Sequence, residues 1–201
     1  MSTMTTDYPV SLLKREPAPP FDGEGEFALW HFSEDDSLRV FEPHVPATNA
    51  ESPALVWAVD TRHSPMFWFP RACPRGCIWA VSTTSDGDVE RFFGQSDRRR
   101  VHVVESAWPD RMRECRLYAY RLPIGPFKPH DVGGYWVTGE TVEALERVTI
   151  DDLIGRHAAV GIELRITPSI LPFWRRVIES TLEFSGMRLR YAAPHPQQVE
   201  R

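Results

Sequence analysis

Apolar positions along the chain come in short runs separated by polar stretches rich in proline and glycine. Residues 27–32 (FALWHF), 55–59 (LVWAV) and 78–81 (IWAV) are the kind of run that fills a buried strand, and 101–105 (VHVVE) and 117–122 (LYAYRL) alternate as strands. Ser33, followed three residues on by Asp36, has the pattern of a capping box and predicts a short helix through Leu38. Ser64 and Pro65 predict an N-cap and first-turn proline for the aromatic turn MFWF, stopped by Pro70. Ser85, with Asp86 and Asp88 in the first turn and Gly94 just past the end, predicts a helix over 85–93. Further helices are expected over 106–116, 149–159 and 172–182, and strands over 135–142 (interrupted at Gly139), 162–166 and 187–191. Many short strands with short helices between them and no internal repeat predict an α+β fold of small split antiparallel β-sheets, not a doubly wound parallel sheet. No GxGxxG or phosphate-loop motif is present.

Composition bounds the rest. A chain of 201 residues, 42% hydrophobic and 25% charged, is long enough for one real core. Pro9, Pro17, Pro19 and Pro20, followed by the polar DGEGE, predict a flexible arm over 1–26, a single domain over 27–193 and a loose tail over 194–201. The net charge of -5 argues against a whole-chain electrostatic design for nucleic acid. Three cysteines, Cys73, Cys77 and Cys115, cannot all pair, which predicts reduced thiols and a cytoplasmic protein. The CPRGC spacing lacks a second ligand pair, so no metal is expected, and no apolar run approaches a membrane span. Oligomeric state is not legible.

Candidate chemistry gathers around His31 and Ser33 at the end of the first strand. A histidine there is either a hydrogen-bonded structural residue or a ligand-reading group, and Ser33 is accounted for as a cap whatever else it does. Arg71 and Arg75 flank Cys73 in a proline-stiffened loop suited to a phosphate or carboxylate. Only Lys14 and Lys128 are lysines, however, so any arginine pair or the Arg98–Arg100 run is weakly informative. Of the seven tryptophans, Trp57 and Trp136 are candidates to stack on a base or nicotinamide ring, although most should be core. Glu105 and Glu140 are carboxylates that could sit at a site's rim or simply be solvated.

HFS at 31–33, VWAVD at 56–60, LYAYRL at 117–122 and YWVTGETV at 135–142 resemble, in this order, the split-sheet fold of the ADP-ribosyltransferase superfamily, whose first motif is a strand-end histidine followed by a small residue and Thr or Ser. That resemblance implies an NAD- or nucleotide-binding protein, with NAD as substrate, in which His31 bonds a ribose and Ser33 helps place the nicotinamide half. It also implies cleavage or transfer at the nicotinamide glycosidic bond, for which the superfamily uses a late-strand glutamate to stabilise an oxocarbenium-like transition state. The chain departs there: its late strand begins with Tyr135 and Trp136, and Glu140 follows a glycine, leaving Glu140 or Glu105 as substitutes. A superfamily branch that transfers RNA 2′-phosphate to NAD works without that glutamate. From about Leu29 to Tyr191 the chain also resembles an uncharacterised bacterial family of this size, which brings no activity with it. The alternative expectations are a non-catalytic nucleotide-binding module and a protein-interaction module using the arm or the helix near 173–182.

Overall fold

The strand-forming runs assemble into three sheets, seen in a computed structural model that describes residues 16–45, 51–94, 96–130 and 133–194. In chain order the strands are β1 (Leu29–Ser33), β2 (Val40–Phe41), β3 (Val56–Asp60), β4 (Arg75–Trp79), β5 (Arg100–Glu105), β6 (Leu117–Leu122), β7 (Lys128–Pro129), β8 (Tyr135–Thr138), β9 (Val142–Glu143), β10 (Glu146–Ile150), β11 (Glu163–Thr167) and β12 (Glu183–Met187). The helices are α1 (Asp86–Phe93), α2 (Pro109–Glu114), α3 (Leu153–Ala159) and α4 (Leu171–Val177), with 3-10 turns at Ser64–Phe67 and Leu189–Tyr191. The mixed α+β class and small sheets match the apolar pattern.

By contacts the chain divides into two compact units. The first is built from Glu24–Phe67 and Leu117–Ile150, the second from Ala18–Gly23, Trp68–Arg116 and the chain from Asp151 onward. The first unit holds a wholly antiparallel six-stranded sheet, order β10-β6-β1-β3-β8-β7, and the β2-β9 pair. Alternation puts Leu29, Ala58, Tyr120, Leu122 and Trp136 on one side of that sheet, where Phe41, Phe127 and Val142 complete the core. Thr61, just past β3, ties the entry to β1. Its Oγ1 accepts from Ala28 N–H (3.0 Å) and Trp30 Nε1–H (3.1 Å) and donates to Glu26 O (3.1 Å).

The second unit's sheet, order β11-β5-β4-β12, is antiparallel except for the parallel β11–β5 pair. Ile78, Val101 and Val103 share one face with Phe92 and Phe93 of α1 and Val177 of α4. Ala18–Gly23, which composition assigned to the arm, belongs here: Ala18 is buried, Phe21 stands edge-on to Trp68 at 5.6 Å, and Asp22 N–H donates to Val160 O (3.3 Å). Residues 1–15 of the arm and 195–201 of the tail lie outside the described residues.

Four local expectations are corrected. No helix follows Ser33, because side chains close the turn instead: Ser33 Oγ accepts from Asp35 N–H (3.1 Å), and Asp35 Oδ1 accepts from Ser37 N–H (2.8 Å). Thr149 lies in β10, an exposed edge strand with no apolar alternation to announce it, and the cap of α3 is Asp152, whose side chain accepts from Gly155 N–H. Helix α4 stops at Val177, where the Ser180 hydroxyl donates to Val177 O (2.7 Å). The last strand is Glu183–Met187 and not 187–191, since Arg188 turns left-handed (φ 58°).

Thr61→Val keeps the shape and removes the acceptor, stranding the donors of Ala28 and Trp30. Two orphaned part-buried donors should destabilise the protein by about 2 kcal/mol or more, read as a lower urea midpoint, whereas Thr61→Ser should lose less than about 1 kcal/mol.

Candidate functional site

Strand β1 is paired unequally on its two sides. It runs against β6 along all five residues, from Leu29↔Leu122 to Ser33↔Tyr118, but meets β3 only at Leu29↔Asp60 and Trp30↔Val59. Beyond Trp30 no ladder pairs join β1 to β3, which leaves a rift in the ladder opposite Trp57. The His31 imidazole spans it, with Nδ1 3.0 Å from Trp57 O. A carbonyl can only accept, so Nδ1 carries the proton and Nε2 is the acceptor nitrogen. Phe41 lies 4.9 Å from the His31 ring, and Tyr120, edge-on to Phe41, donates its hydroxyl to Asp35 O (2.7 Å). That bond, with one from Arg147 Nη1 to Asp36 O, holds the HFSEDD turn in place. The Ser37 hydroxyl and amide on the Asp35 carboxylate keep it below the usual carboxylate range.

A row of half-buried rings lies on the other face of the sheet from His31. Phe32 stacks on Phe67 (5.9 Å, 13°), Phe67 meets Tyr135 edge-on (5.8 Å), Tyr135 meets Trp57 edge-on (5.9 Å), and Trp57 leans on His130 (4.9 Å). Trp57 Nε1 is shielded from solvent and no described residue accepts from it. Tyr135, and not Trp136, is the residue of β8 in this row of rings. Alternation along β8 turns Trp136 inward, 2% exposed, against Phe27 at 5.4 Å.

An unforeseen pair stands at the end of β3. Asp60 Oδ1 lies 2.7 Å from His63 Nδ1 and accepts the His63 amide at 2.9 Å, with both side chains buried. Gly134, at φ +76°, presses on that ring so closely that a Cβ there would fall 2.1 Å from His63 Cγ. The DxxH spacing after an apolar strand is the only trace of this pair in the sequence.

The expected site residues therefore divide. His31, Ser33, Trp57, Trp136 and Glu140 belong to the first unit, and Arg71, Arg75 and Glu105 to the second. Glu140 is exposed just past β8. Glu105 is 3% exposed, and its oxygens accept from Ile170 N–H (3.0 Å) and Ala193 N–H (2.9 and 3.0 Å), pinning the start of α4 and the chain after the last 3-10 turn to β5. Arg75 is buried, donates to Cys73 O (3.1 Å) and lies over the Phe69 ring. Arg71 is exposed, and its carbonyl accepts from Arg188 Nε (3.1 Å). Burial pushes the Cys73 and Cys77 thiols up to about 12, so neither is a nucleophile near neutral pH. Among the described residues no three His, Cys, Asp or Glu side chains group to hold a metal, and no helix is long and apolar enough to cross a membrane.

The second unit also buries two histidines in contact. His157 Nδ1 donates to Leu153 O (2.6 Å), which leaves Nε2 to accept from His102 Nδ1 at 3.0 Å. His102 Nε2 is buried with no donor among the described residues. Burial, reinforced by His157 and by Arg100, drives His102 well below the usual imidazole range, and burial pushes His157 down to about 4.

Rings, rift and sheets define a mixed α+β protein with a half-buried aromatic surface and no recognisable phosphate loop. The chain belongs to DUF6886, a family of unknown function, whose model matches residues 30–192. Searches of curated proteins and of solved structures return no match.

Two outcomes test this geometry. The folded protein leaves both buried histidines neutral over a range in which the unfolded chain takes up their protons. Stability should be full above pH about 6.5, fall as the pH drops towards 4, and flatten below that for His157; urea midpoints at pH 7, 5.5 and 4.5 measure it, and His157→Gln should shallow the slope. Gly134→Ala combines left-handed strain with overlap on His63 and should lower stability by more than about 2 kcal/mol, read by thermal unfolding.

Proposed function

We propose that the first unit binds a nucleotide of the NAD class at the rift between β1 and β3, in an ADP-ribosyltransferase-like arrangement. The observation that carries this reading is the His31 imidazole, held by Trp57 O where the β1–β3 ladder ends, the strand-end position from which the resemblance has a histidine read a ribose. The rings of Trp57, Tyr135 and Phe67 stand on the other face of the sheet from His31, and the proposed site does not include them. Ser33 supports the site indirectly, by closing the turn that follows β1. Arg71 and Arg75 belong to the second unit, and the reading does not draw on them.

If the bound nucleotide is turned over, water adds at the ribose carbon, nicotinamide leaves and ADP-ribose forms, with a carboxylate stabilising the cationic transition state. Glu140 is the candidate in the same unit. Glu105, fully engaged by backbone amides, is poorly suited to that task, and this favours a second reading, binding without turnover.

Calorimetric titration with NAD, followed by assay for nicotinamide, tests both. Wild-type protein should bind, and His31→Ala, folded by circular dichroism, should lose at least tenfold in affinity. Nicotinamide release abolished in Glu140→Gln would establish the enzyme, and binding without release the module. A folded His31→Ala that binds as wild type would overturn the site.

A further inference from the structure

The net charge of -5 conceals an uneven distribution. In the first unit carboxylates outnumber basic residues about two to one, while in the second the arginines outnumber the carboxylates. Part of that arginine excess gathers at the C-terminal end of the second unit. Helix α4 carries Arg175 and Arg176 in its last turn, both exposed, and the 3-10 turn after β12 carries Arg190, with Arg188 at its N-cap, again exposed. These two elements meet: Trp174 of α4 packs on Gly186 of β12 so closely that a Cβ there would lie 2.4 Å from Trp174 Cζ2 and 3.0 Å from Leu189 Cδ1. The elements that carry the arginine doublet and the arginine turn are therefore packed together.

We propose that this surface, Arg175, Arg176, Arg188, Arg190 and Tyr191, binds single-stranded nucleic acid. None of the four guanidiniums has a carboxylate among the described residues at ion-pair distance, although Glu179 and Glu183 lie on the same stretch of chain. Arg188 is aimed by the hydrogen bond from its Nε to Arg71 O, and its left-handed backbone (φ 58°) sets it at a corner. Arg190 lies over the Tyr191 ring, 4.7 Å from its centroid, with Nη2 2.9 Å from the Tyr191 hydroxyl. Tyr191 itself is 52% exposed. A guanidinium backed by an open aromatic face is a platform on which a splayed base can stack, while neighbouring arginines take the phosphates. Duplex DNA offers no unstacked base for the ring, and a lipid surface is an outcome that the test below separates.

Fluorescence anisotropy with a labelled oligouridylate of about 12 nucleotides, at salt from 50 to about 300 mM, reads this directly. Wild-type affinity should fall with salt, with a logarithmic slope of about -2.8 for four phosphates at about -0.7 each. Arg175→Gln with Arg176→Gln, and Arg188→Gln with Arg190→Gln, should each shallow the slope by about 1.4. Tyr191→Ala should weaken binding about tenfold and leave the slope unchanged, which separates stacking from charge. All these positions are exposed, so thermal midpoints should stay within about 2 °C of wild type, and any loss reports binding. No binding by wild type at 50 mM salt, variants that bind as wild type, inorganic polyphosphate of equal length bound as tightly as the oligonucleotide, or phosphatidylserine vesicles bound in preference would each overturn the assignment. The assay contains no NAD and the residues lie outside the first unit, so its outcome is separate from that of the nucleotide titration.

Discussion

A strand with a full ladder on one side and a two-residue ladder on the other leaves main-chain groups that something else must satisfy. In the first unit that strand is β1, and the substitute at Trp57 O is the His31 side chain. Leaving a carbonyl unpaired in a half-buried sheet costs as much as a lost hydrogen bond, so the imidazole here is a structural part before it is anything else. Satisfying the carbonyl also selects the tautomer. One contact thus holds the rift, orients the ring and determines which nitrogen accepts. The neighbouring arrangement follows: Phe41 packs on the ring, Tyr120 on Phe41, and the Tyr120 hydroxyl closes the turn at Asp35.

The second unit handles burial of polar groups differently. Its sheet has one conventional face, covered by α1 and α4, and one on which Arg75, Cys77, Arg100 and His102 alternate inward. Charge is tolerated there through carbonyls and rings: Arg75 bonds Cys73 O, Arg100 bonds Pro19 O, and the two histidines remain neutral by bonding each other and Leu153 O. Glu105, on the opposite face, is buried with three contacts from backbone amides in place of water. Groups of this kind make a core specific and sensitive to proton concentration, and they have no need of a ligand to explain them.

Period-2 alternation made β5, β6 and the apolar part of β8 legible from the chain alone, and caps with charge placement did the same for α1, whose Ser85 and Gly94 sit at its ends as expected. The capping pattern at Ser33 was read as a helix because the same side-chain-to-backbone bonds that start a helix can also close a turn, and nothing local distinguishes them. Strand β10 escaped because an exposed edge has no buried face to impose alternation. Trp136 is core because alternation along β8 turns it inward, and a one-residue offset along a strand exchanges core for surface. His63, His102 and His157 were missed because each is defined by a partner distant in space or hidden by a turn, and a lone histidine in an apolar run looks the same whether it faces Asp60, another histidine or water.

Glu105 and Glu140 show why the site had to be argued from the folded chain. In the sequence both are carboxylates just after apolar strands, with equal claims on a developing positive charge. Folding separates them by environment. A carboxylate whose oxygens already accept three amide contacts would have to give up those bonds to serve a transition state, whereas an exposed one sacrifices only water. Exposure has its own penalty, since a charge in high dielectric stabilises an oxocarbenium weakly unless the bound ligand excludes solvent. On the reading proposed above, turnover requires that the ligand itself bury Glu140, and a ligand that leaves it wet is bound without turnover.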